Sequence, residues 1–370
     1  MMKKVKRIRI RRIVLLSTAL LLLAFALSCS FLSSSGSRVS SEGVPAQYRL
    51  TYNIFFPASH GAAKLGIEWA REVEKRTGGR VAVDVYPGSV LTTDSENFNG
   101  VVFGATDLGM SCFAYSRGLF PLIEALDLPW GYRDGMMATE VANEFIRKFQ
   151  PEELADVELM YAHAHGPGIL ASNEPVRTFA DIQHQRLRGT GVTARAIGHL
   201  GADAVGLSQG DTYEALRKGV VQGTLCPIET LCGWKQGEVV KTVTKIPALG
   251  YTTAMFVVMN RKSWEKLPED IRAIISEINQ EWIRKHGELW DAMDAEGEAY
   301  VRDRGKEIVE FGAEDNAQAA EALRPLLDGW AAGAKAKGLP GDEAVAFLRT
   351  RVSGQSIAAA KGTDNTKEVR

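Results

Sequence analysis

The strongest constraint on this chain is an almost unbroken apolar run, YTTAMFVVM at 251–259, followed by a helical pattern from Pro268 to about Arg304. A run of that composition suits a strand buried on both faces. Pro268 with Glu269 and Asp270 beside it is a helix start signal. Ile271, Ile274, Ile275, Ile278 and Trp282 then form one apolar stripe. At about 1.5 Å per residue the helix is on the order of 55 Å long. That exceeds the width of one small domain, so the pattern predicts a helix spanning two lobes, with Gly287 and Gly297 as places where it bends.

The rest of the chain alternates strand and helix. Residues 48–56 (YRLTYNIFF) read as a strand, 62–76 as a helix with Leu65, Trp69 and Val73 on one side, and 80–86 (RVAVDVY) as a strand. This βαβ opening marks an α/β layered domain. Strands are expected at 107–111, 158–164, 169–171, 185–189, 204–206 and 219–225, and helices at 95–102, 141–149, 178–182, 194–200 and 211–218. Two further helices fall at 317–334 and 342–351, and 354–370 reads as a disordered polar tail. A length of 370 residues fits about two domains.

Residues 1–28 are an address rather than part of the fold. A head with seven cations and no acid precedes the uncharged stretch IVLLSTALLLLAFAL at 13–27. That is shorter than the roughly 20 apolar residues that span a bilayer, and it reads as an export signal peptide. It ends Ala26-Leu27-Ser28-Cys29, which resembles a lipoprotein cleavage box in which Cys29 becomes an acylated N-terminus. Plain cleavage to a soluble protein is the other reading. Residues 29–47 are Ser-rich and form a flexible tether. The formal net charge of −1 becomes −8 without the signal, which argues against nucleic-acid binding. Three cysteines remain: Cys112, Cys226 and Cys232. A Cys226–Cys232 bridge and three buried thiols both remain open.

Motifs for chemistry are weak. Gly189-Thr190-Gly191-Val192-Thr193-Ala194 has the form G-x-G-x-x-A, but the residues before it, Gln183, His184, Gln185 and Arg186, are too polar for a dinucleotide-binding strand. His163 and His165 share one strand face, and no His or Cys spacing fits a metal. No Walker loop or nucleophile elbow occurs, so neither an enzyme nor a cofactor is expected.

Several segments, in one collinear order, resemble the solute-binding proteins of TRAP (tripartite ATP-independent periplasmic) transporters, the DctP family. They are EVEKRTGG at 72–79 with VAVDVYPGSVL at 81–91, GATDLG at 104–109, LDLPW at 126–130, PVRTFADI at 175–182, RLR at 186–188, and YEAL at 213–216 with KGVVQG at 218–223. The resemblance implies a two-lobed, type II periplasmic-binding-protein fold with crossing strands and a long lobe-spanning helix. It divides the chain into a first lobe at 48–167, a second at 168–253, and a return to the first at 254–353. It implies a monomeric receptor that hands a small organic acid to membrane permease subunits driven by an ion gradient, touching the membrane only through its N-terminal lipid. A ligand sensor feeding a signalling partner would use the same fold and stays open.

By the same resemblance Arg188 pairs with the ligand carboxylate, Tyr213 brings a hydroxyl near it, and Phe55 and His60 form another wall. Relatives often carry a second arginine where this chain reads Gly166-Pro167-Gly168-Ile169, and an Asn where it has Cys226. Both changes remove polar groups, and the glycines are expected to add room. The expected ligand is therefore a monocarboxylate with an aromatic or branched tail. Glu229 stands where it could accept a hydrogen bond from the ligand, or be solvated.

Overall fold

The computed structural model describes residues 46–363, so the signal peptide, Cys29 and nearly all of the tether lie outside the described residues. The chain opens with β1 (Tyr48–Ile54), α1 (Gly61–Arg76), β2 (Val81–Pro87), α2 (Asn97–Val102), β3 (Leu108–Cys112), α3 (Gly135–Phe149) and β4 (Val157–Ala164). It continues with β5 (Ile169–Ser172), β6 (Arg186–Gly189), α4 (Gly191–His199), β7 (Asp203–Gly206), α5 (Gln209–Arg217), β8 (Gly223–Cys226), α6 (Thr230–Gly233) and β9 (Thr242–Lys245). It closes with β10 (Ala254–Asn260), α7 (Arg261–Glu265), α8 (Glu269–Asp303), β11 (Glu307–Glu310), α9 (Ala313–Ala336) and α10 (Gly341–Thr363).

Two sheets define two lobes. The first has the order β2-β1-β3-β10-β4 and the second β11-β9-β5-β8-β6-β7. β1 runs parallel to β2 and β3, while β10 is antiparallel to both β3 and β4. All seven residues of β10 are buried: Ala254–Met259 as their apolar run requires, and Asn260 with its side-chain amide donating to the Val101 and Val102 carbonyls. The chain crosses between sheets after β4 and again between β9 and β10.

The third crossing is α8. Its Ile271, Ile275, Ile278 and Trp282 pack in the first lobe's core, where the Trp282 indole donates to the Leu65 carbonyl at 3.0 Å. Further along, Gly297 presses on the Ile228 backbone and Val301 joins the second lobe's core. The two glycines thus serve close approach: a Cβ would come within 2.6 Å of Met136 Sδ at Gly287 and 2.5 Å of the Ile228 carbonyl oxygen at Gly297.

Other expectations are corrected. β11 does not return to the first lobe; it pairs parallel with β9 at the edge of the second sheet. The strand read at 219–225 starts only at Gly223, because Gly219 (φ +69°) and the exposed Val220 form the turn that ends α5. The tail read from 354 is helical to Thr363. Of the two readings left open for the cysteines, the free-thiol one holds, with Cys112 and Cys226 buried and Cys232 half-buried.

Candidate functional site

The cavity between the lobes is walled from both. Phe55, Cys112, Tyr115, Met255 and Trp290 come from the first lobe and its hinge helix, while Arg188, Gln209, Cys226, Glu229 and Trp234 come from the second. Its volume is about 40 Å³, so the walls stand close together. Phe55 meets Tyr115 edge-on at 5.6 Å and stacks on Trp234 at 6.0 Å, which makes one flank aromatic.

Arg188 sits at the carboxyl end of β6 and is only 5% exposed. Its Nε donates to the Leu207 carbonyl at 2.9 Å and its Nη1 to the Leu225 carbonyl at 3.3 Å. These two bonds fix the guanidinium plane and leave further N–H groups undirected. No described carboxylate forms an ion pair with it. A buried cation without a counter-charge is costly unless an anion arrives. Four titratable groups around it stay neutral. Burial, with Arg188 adding to it, holds His165 down to about 4. Burial pushes the Cys226 thiol up to about 12 and the Tyr115 and Tyr251 hydroxyls well above their usual range, so all three keep their protons.

Gln209 opens α5 and is 7% exposed. Its backbone N–H donates to the Tyr115 hydroxyl at 3.1 Å, and its Nε2 has no partner. Both side chains carry donors beside Arg188 and were missed by the sequence reading. The signal for Gln209 was Ser208-Gln209 at a helix start, where side chains face the cleft.

Glu229, from the same lobe, is 2% exposed and pairs with His60 of the first lobe. His60 caps α1: its Nδ1 accepts the Ala62 N–H at 3.1 Å. The ring proton is therefore on Nε2, which donates to Glu229 Oε2 at 3.1 Å. Behind them Asp294 Oδ1 accepts the Glu229 N–H at 3.3 Å. Burial first, and the Glu229 charge second, push the Asp294 carboxyl up to about 8.

Arg188, Phe55, Cys226 and Glu229 thus meet at one cavity, and His60 reaches it through Glu229. Tyr213 does not line it. α5 turns Gln209, Thr212, Ala215 and Leu216 inward, which leaves Tyr213 outside that stripe with its hydroxyl donating to Glu238 at 3.0 Å. The expected room at the glycine segment is also filled. A Cβ on Gly168 would meet the Tyr251 ring at 2.0 Å and one on Gly166 would meet Asp294 at 2.2 Å. Among the described residues no cluster suits a metal ion.

Residues 58–333 match the DctP family, bacterial extracellular solute-binding protein family 7. The C4-dicarboxylate-binding periplasmic protein DctP of Rhodobacter capsulatus is 28% identical over 287 residues, covering 74% of this chain and 82% of that protein. A TRAP periplasmic solute-binding protein of Bordetella bronchiseptica, solved with bound mandelate, is 26% identical with a TM-score of 0.77, over 83% of this chain and 99% of that one. A TRAP solute-binding protein of an unidentified marine microbe, specific for aromatic acids and solved with metahydroxyphenylacetate, is 25% identical with a TM-score of 0.79 over the same shares. The chain belongs to the TRAP-type DctP family of bacterial extracellular solute-binding proteins, whose members are receptors and not enzymes.

Proposed function

We propose that this receptor binds an aromatic or branched monocarboxylate between its lobes, with Arg188 holding the carboxylate, and delivers it as a monomer to a TRAP permease. The observation that carries this reading is the buried Arg188, fixed by two carbonyls and lacking an acidic partner. A guanidinium offers two parallel donors that match a carboxylate. Gln209 Nε2 and the Tyr115 hydroxyl add donors at the same end.

A second carboxylate fits less well. Arg188 is the only permanent cation among the described lining residues, and Glu229 lines the same cavity. The aromatic acids bound by the Bordetella and marine proteins agree with the Phe55–Tyr115–Trp234 flank. A thermal-shift screen of C4-dicarboxylates, sugar acids, branched 2-oxo acids, benzoates and phenylacetates tests this. A shift with succinate or malate and none with aromatic or branched acids would overturn it. Arg188→Met removes a buried charged contact worth about 2–5 kcal/mol, so the best acid should bind at least about thirtyfold more weakly to a folded variant.

Delivery would start from a chain held at the membrane by acylated Cys29. Detergent partitioning of Cys29→Ala checks this: an unchanged membrane fraction would sink the anchor.

A further inference from the structure

We infer that Glu229, held by His60, is a second recognition group, and that the ligand carries an O–H or N–H donor besides its carboxylate. This rests on the reading of the site as a monocarboxylate receptor. Four observations lead to it.

Glu229 lines the same cavity as Arg188, yet the two form no ion pair, so each needs its own partner. His60 occupies only Oε2, and Oε1 has no hydrogen-bond partner among the described residues. A carboxylate offers acceptor sites at both oxygens, and one left unpaired when a ligand excludes water from the cavity costs free energy. Glu229 stands at the start of α6, but its side chain makes no capping bond, so helix capping does not account for it. The pair is also accommodated by the backbone. A Cβ on Gly233 would lie 2.6 Å from Glu229 Oε2 and 3.0 Å from the His60 ring, so glycine there leaves them space.

The acceptor is therefore positioned and one bond short. A neutral ring would leave it unpaired on closure, whereas a phenolic O–H or an amine would complete it. Sites built to hydrogen-bond a substrate group discriminate strongly against analogues that lack it.

Calorimetry with the 2-, 3- and 4-hydroxyphenylacetates, their fluoro counterparts and phenylacetate tests the inference. Fluorine keeps roughly the size of the hydroxyl but gives no donor. The best hydroxy acid should bind at least about tenfold more tightly than its fluoro counterpart, as expected for a hydrogen bond to a charged group. In Glu229→Gln that ratio should fall at least threefold. Equal wild-type affinities for hydroxy and fluoro acids would overturn the inference alone, as would an unchanged ratio in Glu229→Gln. Binding of none of these acids, nor of any benzoate or branched 2-oxo acid, would overturn it together with the reading it rests on. Should Glu229→Gln fail to fold, the wild-type comparison still decides.

Discussion

At the scale of single residues the site is a set of fixed protonation states around one cation. Asp294 supplies a measurable consequence. Burial, then the Glu229 charge, raise its carboxyl to about 8, against about 3.9 in an unfolded chain. Between those values the folded protein holds a proton that the unfolded chain has released. Stability from this group therefore falls as pH rises through the window and levels off above about pH 8. Asp294→Asn keeps the acceptor for the Glu229 N–H and removes the titration. Calorimetric melting should show the variant gaining on wild type at pH 8.5 and losing that gain towards pH 4.5. A gain independent of pH would refute the assignment. Arg188, Phe55, Cys226 and Glu229 were legible in the sequence because they sit at strand ends and loops that the family motifs bracket. Tyr213 misled because a nine-residue helix sets its own phase, and its inward stripe starts from Gln209.

At the scale of elements, legibility followed length and burial. α8 and β10 were plain because an apolar stripe or run persists over their whole extent. β9 (TVTK) and β11 (EIVE) were missed, since four residues with polar members hold too few positions to show a period. The first turns of α3 were missed as well; their signal was Asp134, whose side chain accepts the Met137 N–H at 2.7 Å. The glycines of the helices separate propensity from packing. Gly297 in α8 lies against the Ile228 carbonyl, with 2.5 Å left for a Cβ, whereas Gly333 in α9 has nothing within 4 Å and is exposed. Gly333→Ala should stabilise by about 0.5–1 kcal/mol through helix propensity alone. Gly297→Ala gains the same propensity but overpacks the lobe contact, which typically costs about 1–3 kcal/mol, so it should be neutral to destabilising. Denaturant melts of the two variants check the contrast; equal stabilisation would deny the close approach.

At the scale of the whole molecule, two sheets meet across a cavity that neither could form alone, and closure of the lobes on the ligand is the expected step that completes it. Several bonds cross between the lobes: His60 to Glu229, the Gln209 N–H to Tyr115, and Arg195 of α4 to Glu124 at 2.9 Å. The first two lie at the cavity, so substituting them would mix ligand contact with closure. Arg195 and Glu124 do not line that cavity, so their ion pair can affect ligand affinity only by favouring the closed arrangement. Partly exposed pairs of this kind contribute about 0.2–1 kcal/mol. Since apparent affinity scales with the population of the binding-competent state, Arg195→Gln should weaken binding of the best acid by about 1.4- to 5-fold. The loss should shrink as salt is raised, because screening already weakens the pair in the wild type. Ligand at about 100 times its dissociation constant should stabilise the wild type by about 2.7 kcal/mol, and scattering should show the particle becoming more compact. Unchanged affinity in Arg195→Gln together with no compaction on saturation would mean that the lobes do not move, and that Arg188 receives its acid in a rigid cleft.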